Sequence, residues 1–173
     1  MGITVEGLKE AIDALKAYRD SLPDKRKQLL ERLAEIGVET ANLRFSEVIP
    51  IYSGVFDGVD VGVMWMDDHT LAVKASGGQV GFLEFGAGIH HYGQGHPKAA
   101  EFGTGPGTYG PRGNQEYWYY KDRGGQVGEW SQPALGHPGT IRTSGNPPSR
   151  AMYQAGVEIR KKITEIAKEI YES

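Results

Sequence analysis

Between Val5 and Leu22 the apolar residues Val5, Leu8, Ile12, Leu15 and Leu22 recur at helical spacing, with charged residues between them. That spacing predicts an amphipathic helix. Thr4 stands where an N-cap belongs, although Gly7 occupies the position at which a capping box carries glutamate. Pro23 biases Leu22 away from helical geometry, and Asp24 can open a second helix carrying Leu29, Leu30, Leu33, Ile36, Thr40 and Leu43 on one stripe. Pro50 supplies its stop.

The texture then changes, because 21 of the 25 glycines lie between Gly54 and Gly145, which disfavours helices there. Val59, Val61, Val63 and Trp65 alternate with Asp60, Gly62 and Met64, the period of a strand. Asp67-Asp68 is a turn signal, and Leu71, Val73 and Ala75 repeat the alternation, so a hairpin is expected, followed by a third strand over Gln79 to Phe85. From Gly86 to Pro148 the chain reads as an ordered extended loop with strands at Glu116 to Lys121 and Gln126 to Trp130. Its tryptophans and tyrosines are too many for a solvated linker. After Pro147-Pro148, Ser149 can cap a last helix whose stripe is Met152, Gly156, Ile159, Ile163, Ile166 and Ile170. Ile159, Ile163 and Ile166 are expected in the core.

These elements predict an α+β fold, a small, mostly antiparallel sheet packed by two N-terminal helices and one C-terminal helix, with a long loop rich in glycine and aromatics. One domain suffices for 173 residues: a helical pair over 1–50, sheet and extended loop over 54–145, and the terminal helix over 149–173. The net charge of -3 and pI near 6.0 give no global signature of a nucleic-acid or anionic-membrane binder. Without cysteine there is no disulfide, thiolate metal site or cysteine nucleophile. The N-terminus meets Glu6 at once, unlike a signal peptide, and no apolar run is long enough to span a bilayer.

Few constellations suggest chemistry. His90, His91 and His96 form the one cluster with a metal-like look, but flanking glycines leave their geometry unfixed, and they read better as solvated or interface histidines. Glu84 and Glu101 sit in twin Glu-Phe-Gly segments; a carboxylate pair would suit glycoside hydrolysis, yet a glutamate in such a place more often pairs with a basic group or binds backbone amides. Gly103 to Thr108 lacks the lysine and hydroxyl of a phosphate loop. Ser53 lacks the glycine flanks of a nucleophile elbow. Trp118 with Tyr117, Tyr119, Tyr120, Lys121 and Arg123 could stack bases or sugars. The competing expectation is a strand with alternate rings entering the core and outer rings meeting a neighbouring subunit. The clusters Lys25-Arg26-Lys27 and Arg160-Lys161-Lys162 read as solvated helix faces.

Three segments carry a resemblance: Pro50-Ile51-Tyr52-Ser53-Gly54-Val55, Leu83-Glu84-Phe85-Gly86-Ala87-Gly88, and Asn146-Pro147-Pro148-Ser149-Arg150-Ala151-Met152. In this order, between helices and around a small sheet, they resemble the head-tail joining family of tailed bacteriophages, which includes neck, tail-component and minor capsid proteins. The family-like positions are Ser53, Gly54, Glu84, Phe85, Gly86, Pro147 and Pro148. Phe56 and Asp57 depart from the family, which has a basic residue after its hydroxyl-glycine pair. The resemblance implies a structural, non-enzymatic virion protein, made in the host cytoplasm and placed at the neck. It would form an oligomeric ring with other neck, connector or tail proteins, with DNA passing through without sequence-specific binding. No catalytic, cofactor-binding or metal residues and no membrane partner are implied. The long loop, through Phe102, Tyr109, Trp118 and Trp130, is the expected interface. A carbohydrate- or nucleic-acid-binding module using Tyr117 to Tyr120 is the alternative.

Overall fold

The computed structural model describes residues 5–48, 58–88, 95–103, 115–121 and 131–172. Helix α1 (Val5–Val48) is followed by strands β1 (Asp60–Asp67) and β2 (Thr70–Ser76) and a short helix α2 (Val80–Phe85). One-turn helix α3 (Ala99–Phe102), strands β3 (Trp118–Lys121), β4 (Ser131–Pro133) and β5 (Thr140–Thr143), and helix α4 (Ala151–Tyr171) complete the order. The fold is α+β, with α1 and α4 packed on each other and on the β1–β2 hairpin, and with a second small antiparallel sheet. None of its helices is long and apolar enough to cross a membrane, among the described residues.

The expected pair of N-terminal helices is a single helix with Pro23 inside it. Proline there removes one backbone bond and crowds the preceding turn, a cost of about 3 kcal/mol. Its own φ is nevertheless helical, and strong helix formers flank it, from Ala14 to Ala17 and from Lys25 to Leu30. Past the proline, tertiary packing also holds the helix. Lys25 Nζ donates to the Ile170 carbonyl at 2.8 Å, and Leu33 packs with Ile166 and Ile170, supported by Leu29, Ile36, Ile159 and Tyr171.

Helix α4 runs antiparallel to the second half of α1. Its start, Ala151 and Ala155, meets Ala41 and Phe45, and its end lies beside Lys25. Small residues let the two helices approach, and Gly37 does the same for a third element. A Cβ there would meet Ile159 Cδ1 at 2.8 Å and Val73 Cγ2 at 3.0 Å. The hairpin sits at this point, with Val59, Val61 and Ala75 joining the cluster around Phe45 and Leu83.

The hairpin follows its expected boundaries closely. Val61 pairs with Ala75, Val63 with Val73 and Trp65 with Leu71, so the expected alternation forms one face, and a bulge lies between Trp65 and Asp67. Asp67 Oδ1 accepts the His69 amide at 2.7 Å, which holds the Asp67 carboxyl below its ordinary value. The hairpin stands apart as a two-stranded sheet. The second sheet has the order β3-β5-β4, with Trp118 opposite Thr143 and Tyr120 opposite Ile141.

The segment expected as a third strand, Gln79 to Phe85, is instead helical from Val80. Leu83 and Glu84 are both buried although adjacent, which a two-faced strand does not permit. One helical turn allows it: Leu83 enters the core while Glu84 points to the start of α4. The expected strand at Gln126 to Trp130 lies outside the described residues. The expected strand at Glu116 to Lys121 begins at Trp118.

On α4 the stripe is buried at Ile166 and Ile170, while Ile163 is 44% exposed, so Ile163 is not the core residue its spacing suggested. Ile166→Ala should cost roughly 2 to 5 kcal/mol, and Ile163→Ala about 0.5 kcal/mol at most. Urea unfolding of the two variants, compared at equal protein concentration, checks this contrast.

Candidate functional site

An α-helix begins with amides that have no partner within the helix. The first residue of α4's cap, Arg150, has φ 55, a left-handed conformation, and gives no side-chain cap bond. Ser149, the expected cap, reaches only the Ala151 amide through Oγ, at 3.3 Å. The deeper amides are served from another element. Glu84 Oε2 accepts from Met152 N at 2.9 Å and Oε1 from Tyr153 N at 3.0 Å. A buried carboxylate from α2 thus does what an N-cap side chain does, and its charge lies at the positive end of the α4 dipole.

A third donor completes the carboxylate. His96 Nε2 lies 2.9 Å from Glu84 Oε1, while the Lys98 amide donates to His96 Nδ1 at 3.0 Å. With Nδ1 accepting from the Lys98 amide, Nε2 is the nitrogen that donates to Glu84. His96 is buried, with Phe85 and Tyr153 rings 4.5 and 5.5 Å away. This corrects the expectation of a solvated or interface histidine at 96. The signal was available in principle: His96-Pro97-Lys98 is a turn whose imidazole can bond the amide two residues on.

The backbone around Glu84 is equally committed. Ser149 N donates to the Leu83 carbonyl at 2.7 Å and Arg150 N to the Glu84 carbonyl at 3.2 Å. Ala87 and Asn146 exchange two amide-carbonyl bonds of 2.9 Å, and Asn146 Nδ2 reaches the Phe82 carbonyl at 2.8 Å. Side chains are excluded where these strands cross. A Cβ on Gly145 would lie 2.0 Å from the Ala87 carbonyl oxygen, and one on Gly88 2.1 Å from that of Ser144, and both residues have positive φ. Gly86, also at positive φ, is held against Asn146 and Pro148.

The Glu-Phe-Gly and Asn-Pro-Pro segments are therefore two halves of one joint. Glu84, Phe85, Gly86, Pro147 and Pro148 come together in it. Ser53 and Gly54 lie outside the described residues, as do His90, His91, Tyr109, Arg123 and Trp130. The twin glutamates part company: Glu84 is buried in the joint, whereas Glu101 is exposed on α3 and pairs with Lys98. What the twin segments share is an aromatic contact, with the Phe85 and Phe102 rings 5.7 Å apart. Phe102 is otherwise 62% exposed. No group of three or more metal-ligating side chains is found among the described residues.

Strand β3 divides the aromatic cluster into two faces. Trp118 and Tyr120 are half-buried on the side of Thr143 and Ile141, whereas Tyr117, Tyr119 and Lys121 are exposed. The four aromatics consequently do not form one platform. On the outer face the Arg142 guanidinium lies 3.8 Å from the Tyr117 ring centre, a cation-π contact. Tyr119 packs on Tyr117 and His137. Arg142 and His137 were not singled out from the sequence, although Thr140-Ile141-Arg142-Thr143 alternates as a strand should.

No family model, curated protein or solved structure matches the chain.

Glu84→Gln removes the charge and turns an NH2 group toward an amide or imidazole donor, so it should lower stability by about 3 kcal/mol. Glu101→Gln, altering one exposed pair, should change it by less than about 1 kcal/mol. Denaturant midpoints of the two variants, read by circular dichroism, give the comparison.

Proposed function

We propose that the chain is a structural protein of a tailed-phage virion, a neck subunit that completes the head-tail connection as an oligomeric ring. The observation that carries this reading is the use made of the family-like residues. Glu84, Gly86, Pro147 and Pro148 form a joint in which the Glu84 carboxylate is buried and holds three donors. That is the behaviour of an architectural carboxylate, since three of its about four acceptor sites are already committed within the fold. The placing of apolar side chains on the surface supports assembly as the task. Leu8 and Leu15 on one stripe of α1, Val63 and Met66 on β1, and Phe102 on α3 are all more than half exposed, and apolar surface of this kind is available for contact with other molecules.

The alternative, a carbohydrate- or nucleic-acid-binding module, draws on Tyr117 and Tyr119 beside a surface depression of about 550 Å3 along Gln115 to Tyr119. One face of the Tyr117 ring is already taken by Arg142. A ring contact uses such rigid aromatic and arginine side chains without displacing them. The neck reading places the protein in the virion, with its own copies and other neck proteins as partners.

Light scattering on the eluting protein and negative-stain microscopy should show closed rings, alone or on addition of a purified phage connector, and peptides of the chain should appear in purified virions of a phage that encodes it. A protein that stays monomeric with and without connector, and is missing from virions, would end this reading.

A further inference from the structure

Along α1 the positions Leu8, Ile12, Leu15, Leu22, Leu29, Leu33 and Ile36 lie on one seam, because their spacing keeps to a seven-residue repeat. Leu29, Leu33 and Ile36 are covered by α4. Cover ends where α4 ends, beside Lys25. Beyond that point the same seam continues uncovered among the described residues, with Leu8 52%, Ile12 42% and Leu15 69% exposed. A second apolar surface lies on the hairpin face shared by Val63 and Trp65, which are 52% and 41% exposed, and at the bulge that follows them Met66 is 60% exposed.

The two surfaces cannot cover each other within one copy. The hairpin is anchored where Val73 meets Gly37, and Ile12 lies 25 residues from Gly37, about 37 Å along the helix. The three residues from Val73 to Thr70 at the turn span only about 10 Å. Charge favours their meeting between copies. The exposed seam is bordered on one side by Lys9 and Lys16, whereas the hairpin turn carries Asp67 and Asp68. Two arms paired antiparallel would instead bring the lysine borders of both copies together.

We infer that the first half of α1 is an arm that docks on the β1–β2 hairpin of a second copy of this chain, with Leu8, Ile12 and Leu15 against Val63, Trp65 and Met66 and Lys9 and Lys16 toward Asp67 and Asp68. The inference rests on the ring reading above and names the contact that builds it. Each copy offers one arm and one hairpin, so the contact is head-to-tail and propagates until it closes.

The test uses the full chain in sedimentation velocity, with Leu15→Glu on the arm and Met66→Arg on the hairpin. Both side chains are exposed, so circular dichroism should be unchanged while association weakens at least tenfold in each variant alone. Mixing the two variants should give heterodimers that grow no further, because the arm of the Met66→Arg chain and the hairpin of the Leu15→Glu chain are intact while the other arm and hairpin are not. The chain has no cysteine, so Ile12→Cys and Met66→Cys in one chain should give a disulfide ladder between copies on oxidation. Oligomers that persist in both variants, or no heterodimer on mixing, would overturn the docking and leave the ring reading standing. A wild-type chain monomeric at all concentrations, with and without connector, would overturn both.

Discussion

The structure depends on one carboxylate. Glu84 lies on a six-residue helix, yet it supplies the N-terminal amides of α4 with the acceptors they lack. The reverse exchange occurs on the backbone, since Ser149 and Arg150 amides give partners to the last carbonyls of α2. Two helix ends, each expensive to bury alone, satisfy one another. Burying a charged group is costly unless its bonds are complete; three donors and the helix dipole meet that condition here. The joint in turn fixes where α4 starts, and so which residues of α1 it can cover.

Much of this was legible in the sequence, but as isolated fragments. The hairpin was readable because alternation and the Asp67-Asp68 turn are local signals. The terminal helix was readable from its stripe, and the glycine-rich texture marked where regular helix ends. The joint was not, because Gly86 and Gly145 are glycines for a reason that lies 59 residues away in each other's segment. The tendency of a glutamate beside phenylalanine to bind backbone amides was the right general expectation; which amides depended on the fold. The burial of His96 has the same origin, being supplied by Phe85 and Tyr153 rather than by its own glycine-flanked segment.

Pro23 shows the opposite failure, a local signal overruled. The preference it imposes on Leu22 is real, but strong helix formers stand on both sides and α4 holds the second half of the helix in place. Gln79 to Phe85 differs from the expected strand because a short run containing Val80, Phe82 and Leu83 suits a strand or a helical turn equally. The burial of two neighbours, Leu83 and Glu84, settles it, and burial is a property of the packed chain.

The buried carboxylate belongs to a joint, whereas leucine, methionine and tryptophan side chains lie on the surface. Inside, the polar groups of the joint are matched to one another, and their role is to set the angle and start of α4. Outside, α4 is shorter than α1, 21 residues against 44, and this difference in length is what exposes the seam. The same apolar repeat therefore serves the core where α4 runs beside it and becomes an available surface where α4 stops. The end of α4 is tied by Lys25 to the Ile170 carbonyl, and beyond it Leu8, Ile12 and Leu15 are exposed among the described residues.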